Sequence, residues 1–71
     1  MVNTLKLKAR IMEFGFTQKD VARALNIALP TVSQKLNNKR PMYLQEADII
    51  ANLLEISTQE FGEYFFTQQI A

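Results

Sequence analysis

The stretch Thr17–Asn37, TQKDVARALNIALPTVSQKLN, constrains the fold most, because it carries two helix starts and a stop within a few turns. Thr17 can cap a helix, and Asp20 three residues on can answer it as a short-armed capping box. Val21, Ala22 and Leu25 then mark one apolar face at helical spacing. Asn26 ends that helix, since Asn tolerates the left-handed conformation of a tight turn second only to Gly. Pro30 fits only in the first turn of the next helix, where its missing N–H goes unnoticed. Val32 and Leu36 give that helix a buried stripe, Ile27 plugs the corner, and the small Ala22 lets the pair cross closely at a steep angle. The predicted spans are Gln18–Leu25 and Pro30–Asn37.

Before this pair, Asn3 or Thr4 caps a helix over Leu5–Phe14 that Gly15 stops. Its pattern puts Leu5, Ala9 and Met12, with Ile11, toward the core, and Lys6, Lys8, Arg10 and Glu13 mostly outward. Phe16 can staple onto Val21. After the pair, Asn37-Asn38-Lys39-Arg40-Pro41 reads as a loop. A fourth helix runs from Tyr43 or Leu44 to about Leu54, with Leu44, Ala47, Ile50, Ala51 and Leu54 inward. Ser57 and Glu60 form a capping box that opens a fifth, in which Phe61 and Phe65 face in. Thr67–Ala71 shows no anchoring pattern and reads as a flexible tail. The fold class is therefore all-α: five short helices in one domain spanning residues 1–71.

The chain has no Cys and no His, which removes disulfides, thiolate metal sites, the commonest metal ligand and the usual general base. No cofactor, metal or catalytic residue is expected. Glu60 and Glu63 share a helix face but read as capping and surface charges, so an enzyme is a poor fit. No apolar run approaches a membrane span and no signal peptide is visible, so a cytoplasmic setting without membrane contact is expected. Net charge is only +1, but its distribution is lopsided. Residues 1–40 hold all eight Lys and Arg against Glu13 and Asp20, while residues 41–71 hold five acids and no base. That split predicts one basic face and one acidic face.

The pattern of Gln18, Ala22, Asn26, Ile27, Val32 and Leu36 resembles the helix-turn-helix of the phage repressor/Cro class, the XRE-type or lambda-repressor-like family. The segment KRPMYLQEADIIANLLEIS is similar to that family's next loop and fourth helix, and EFGEYFF to the ends of small Cro-like proteins of phages from Gram-positive bacteria. Two positions depart from the family pattern. Asn26 stands where Gly is usual, and Leu36 takes the apolar role often found at the position of Lys35. The resemblance implies a compact five-helix domain whose third helix enters the major groove while the second lies across the DNA backbone.

On an ideal helix with Val32 and Leu36 inward, Gln34 points nearly opposite, flanked by Pro30, Thr31, Ser33 and Asn37. Gln34 could pair bidentately with adenine, and Thr31 or Ser33 could donate to either base type. The same residues are also ordinary solubilising ones. The resemblance adds Leu29 as a base contact able to touch thymine methyl groups. It implies Gln18 as a phosphate contact at a helix N-terminus, and Lys39 and Arg40 as the basic loop that grips the backbone, joined by Lys35 and Asn38. Lys6, Lys8 and Arg10 are weaker candidates. Few bases per chain imply weak, salt-sensitive binding by a monomer, which a two-fold dimer on a palindromic operator would strengthen. Tyr64, Phe65 and Phe66 are surplus aromatics for a homodimer or partner interface, with packing back on Phe14 or Leu5 as the alternative.

Two functions follow as expectations. The first is a phage-type transcriptional regulator that binds double-stranded operator DNA through helix three. The second is an antirepressor of the same fold that meets a cognate phage repressor protein and blocks its DNA binding. A third helix without Arg, with Leu29 and Pro30 near its tip and an acidic C-terminal half, would suit the second.

Overall fold

The computed structural model describes residues 1–67. Five helices run in the order α1 (Thr4–Glu13), α2 (Gln18–Leu25), α3 (Leu29–Leu36), α4 (Leu44–Leu53) and α5 (Thr58–Phe65), with no strand among the described residues. They pack around one core centred on Leu7, Val21, Val32, Leu36, Ile50 and Leu54, the largest fully buried side chains. The all-α architecture anticipated from the sequence is present.

Each helix is opened by a local device. The Asn3 side chain accepts the Lys6 N–H at 3.2 Å and starts α1. At α2 both arms of the box are made: Thr17 Oγ1 accepts the Asp20 N–H at 3.3 Å, and Asp20 Oδ2 accepts the Thr17 N–H at 2.8 Å. The bond donated to that carboxylate by the Thr17 N–H, and second the one donated by the Thr17 hydroxyl at 3.0 Å, hold the Asp20 carboxyl below its ordinary pKa. Pro30 occupies the first turn of α3, and Ser57 Oγ caps α5 by accepting the Glu60 N–H at 3.2 Å. Glu60 accepts from the Ser57 hydroxyl at 3.1 Å, rather than from the backbone N–H that completes a capping box.

α1 corrects the sequence reading. Its buried residues are Leu7 and Ile11, while Leu5 is 81% and Met12 78% exposed, and Ala9 is exposed as well. The helix carries two apolar stripes at equivalent spacing, Leu5–Ala9–Met12 and Leu7–Ile11–Phe14, on opposite faces. The second is inward because it continues into Val2 and Phe16 and lies against the shared core. Leu44, also expected inside, is exposed at the start of α4; Ala47, Ile50, Ala51 and Leu54 carry the inward stripe. In α5, Tyr64 and Phe65 are both buried and Phe61 packs half-buried on the Phe65 ring at 4.7 Å. Thr67 is anchored rather than loose, its N–H donating to the Met1 carbonyl at 3.0 Å. The remainder of the predicted tail, residues 68–71, lies outside the described residues.

Candidate functional site

α2 and α3 meet through a turn at residues 26–28. Asn26 adopts the left-handed conformation (φ 57°, ψ 45°) and its N–H donates back to the end of α2. Val32 and Leu36 anchor α3 inward, which leaves its other side at the surface. Leu29, Pro30 and Asn37 are exposed, and Thr31, Ser33 and Gln34 are half-buried. The polar row is internally braced: Asn37 Nδ2 donates to the Ser33 carbonyl at 2.8 Å and Asn37 Oδ1 accepts from Lys8 Nζ at 3.1 Å. Lys8, weighted low from sequence, thus stands beside the C-terminal end of α3. No spacing rule could have found it, because the two residues lie on different helices.

The loop after α3 places the predicted cations unequally. Lys39 and Arg40 are exposed, and both backbone N–H groups donate to the Gln34 carbonyl, at 2.8 and 3.3 Å. Lys35 and Asn38 are engaged elsewhere, contrary to the role expected of them. The Lys35 ammonium is buried at 2.7 Å from Glu46 Oε1, donates to the Pro41 carbonyl at 3.2 Å and lies 4.4 Å from the centre of the Tyr43 ring. It is spent inside the protein and cannot reach a phosphate. Asn38, at φ 60°, accepts the Val2 N–H at 2.9 Å and donates to the Val2 carbonyl at 3.0 Å, so its amide clasps the N-terminal segment. Gln18 is half-buried in the first turn of α2, beside the capped N-terminus where unpaired N–H groups gather.

Ion pairs tie the acidic half of the sequence to the basic half. Lys35–Glu46 and Lys6–Glu63 (3.7 Å) join one half to the other, and Arg23 pairs with Asp20 at 3.3 Å. Arg10 caps the end of α4 by donating to the carbonyls of Leu54 (3.0 Å) and Glu55 (2.9 Å). Lys8, Lys19, Lys39 and Arg40 are left with no carboxylate partner among the described residues. Two of them follow α3 directly, and Lys8 stands beside its C-terminal end. Of the aromatic trio offered as an interface, Tyr64 and Phe65 belong to the core, which leaves Phe66 exposed. Lys6 covers what remains of Tyr64, its ammonium 4.9 Å from the ring centre.

No group of three or more His, Cys, Asp or Glu side chains among the described residues could hold a metal ion. No described helix is long and apolar enough to cross a membrane. A family model described as "Protein of unknown function (DUF739)" matches residues 2–68. No curated protein and no solved structure matches the chain.

Proposed function

We propose that this chain, which belongs to the DUF739 family, is a DNA-binding transcriptional regulator of the lambda-repressor-like kind, with α3 as its reading helix. One observation carries the reading: a row of neutral hydroxyl and amide side chains on α3 runs directly into two exposed cations without carboxylate partners among the described residues, Lys39 and Arg40. Amides and hydroxyls suit base edges, which present both donors and acceptors, while cations suit phosphates. In this reading Thr31, Ser33, Gln34 and Asn37 face base edges, with Leu29 and Pro30 at the tip. Gln18, Lys39 and Arg40 take phosphates, and Lys8 joins them through its contact with Asn37.

The test is titration of operator-region DNA from a phage control region against Gln34→Ala and Arg40→Ala. Gln34→Ala is expected to relax preference at one base pair by ~1–3 kcal/mol, and Arg40→Ala to weaken all sequences alike and flatten the salt dependence by about one phosphate. Unchanged binding in both variants would remove the assignment.

The antirepressor reading keeps one specific support. With Lys35 buried against Glu46, α3 presents no cation of its own, and its tip offers the exposed Leu29 and Pro30. A stable complex with a cognate repressor, by a chain that shows no salt-dependent DNA affinity, would select that reading over the first.

A further inference from the structure

We propose that the outward face of α1 is where a second copy of this chain docks, through an antiparallel, two-fold crossing of the two α1 helices at Ala9. Leu5 and Met12, at 81% and 78% exposure, are the most exposed large apolar side chains of the described chain, ahead of Tyr43 at 63% and Phe66 at 61%. With exposed Ala9 they stand at i, i+4 and i+7, which is one stripe on one side of the helix. A small residue between two large ones lets two helix backbones approach closely at the crossing point.

The stripe is complementary to itself. Beside Met12, on the side toward α2, lies an open groove of about 250 Å³ lined by Ile11, Met12, Phe16, Lys8, Thr17 and Gln18. Leu5 projects from the other end of the same face. An antiparallel crossing carries each Leu5 toward the Met12 groove of the other copy, as a two-fold interface requires of any knob and its socket. Charge follows the same rule. At about 100° per residue, Lys6 and Glu13 fall on one flank of α1, roughly 20° apart around the axis. The crossing therefore brings Glu13 of one copy to the flank of the other that carries Lys6, twice, where each Lys6 already pairs with its own Glu63 at 3.7 Å and would be shared between the two carboxylates. Lys8, the like charge nearest the axis, is drawn aside by Asn37 at 3.1 Å.

The patch is small: three side chains per copy fall well short of the roughly 800 Å² per partner of a standard interface, so the dimer is weak and concentration-dependent. Its socket shares Lys8 and Gln18 with the proposed phosphate contacts, so it is tested without DNA. The chain has no cysteine, so a single introduced thiol reports one position. Ala9→Cys, exposed and so without cost to the core, should form a disulfide-linked dimer on mild oxidation, since Cα atoms must come within about 7 Å. Leu5→Glu in the same chain should weaken self-association, read by sedimentation, about tenfold or more. A mixture of Leu5→Cys and Met12→Cys chains should yield the mixed dimer. Failure of Ala9→Cys to cross-link, cross-linking that Leu5→Glu leaves unchanged, or cross-linking through Phe66→Cys instead would each overturn the proposal.

Discussion

The turn that leads into α3 and the loop that leaves it hold their shapes by different means. Residues 26–28 are held with no side-chain hydrogen bond from the turn among the described residues: Asn26 takes the left-handed conformation, the Asn26 and Ile27 N–H groups return to carbonyls at the end of α2, and Ile27 packs half-buried on the core. The loop from Asn37 to Tyr43 is fixed from outside itself. Asn38 holds the Val2 backbone, Thr4 Oγ1 donates to the Leu36 carbonyl at 2.6 Å, and Lys35 reaches Glu46 and Pro41. One end of α3 is thus set by its own residues. The other is set by α1, α4 and the N-terminus together, and it is the end that carries Lys39 and Arg40.

If that contrast is correct, removing Lys35 should have the largest effect. Lys35→Ala leaves the Glu46 carboxylate half-enclosed and without its cation, and breaking such a pair costs about 3 kcal/mol. Replacing both partners, Lys35→Met with Glu46→Leu, should recover most of that stability because no buried charge remains. Amide hydrogen exchange separates the two connections. Protection should fall across residues 37–43 in Lys35→Ala while residues 26–28 keep theirs. Equal loss at both ends of α3 would dissolve the distinction.

The same contrast explains what was legible in the sequence. The α2 capping box, the Asn26 stop and Pro30 in the first turn of α3 each depend on residues no more than four apart, and each stands where the spacing put it. Periodicity found α1 but not its inward face, because Leu5–Ala9–Met12 and Leu7–Ile11–Phe14 satisfy it equally. Only the packing partners decide between them. Lys35 read as a free cation because its burial depends on a carboxylate eleven positions away, and Asn38 read as a turn residue because its clasp spans thirty-six. Phe65 reads as inward from its spacing with Phe61, but Tyr64 does not, because α5 returns to the N-terminus, where the Asn3 N–H donates to the Tyr64 carbonyl at 2.8 Å.

A middle-sized effect belongs to the locally determined turn. Asn26→Ala keeps every contact of the turn but forces a β-carbon without a local amide into the left-handed region, at a cost of about 1 kcal/mol. Asn26→Gly should be neutral or gain up to about 1 kcal/mol, since Gly takes that conformation freely. Thermal or urea unfolding ranks the three chains. A large loss in Asn26→Gly would mean that the Asn amide itself holds the turn.

The smallest effect tests the other local device, the Asp20 arm of the α2 box, and its sign follows from the carboxyl's lowered pKa. A group that binds its proton more weakly when folded stabilises the protein above the unfolded-state pKa and loses that contribution as pH falls through the folded one. The stability difference between the parent chain and Asp20→Asn should therefore stay level from about pH 8 down to about pH 5, then shrink below about pH 4 as the carboxyl protonates. Because Asp20 is solvent-facing, much of its attraction to Arg23 and Lys19 is screened, and raised salt should reduce the difference only slightly. The larger part comes from the Thr17 N–H and hydroxyl, which donate to Asp20 Oδ2 at 2.8 and 3.0 Å. A difference that did not change with pH would assign the arm to geometry rather than charge.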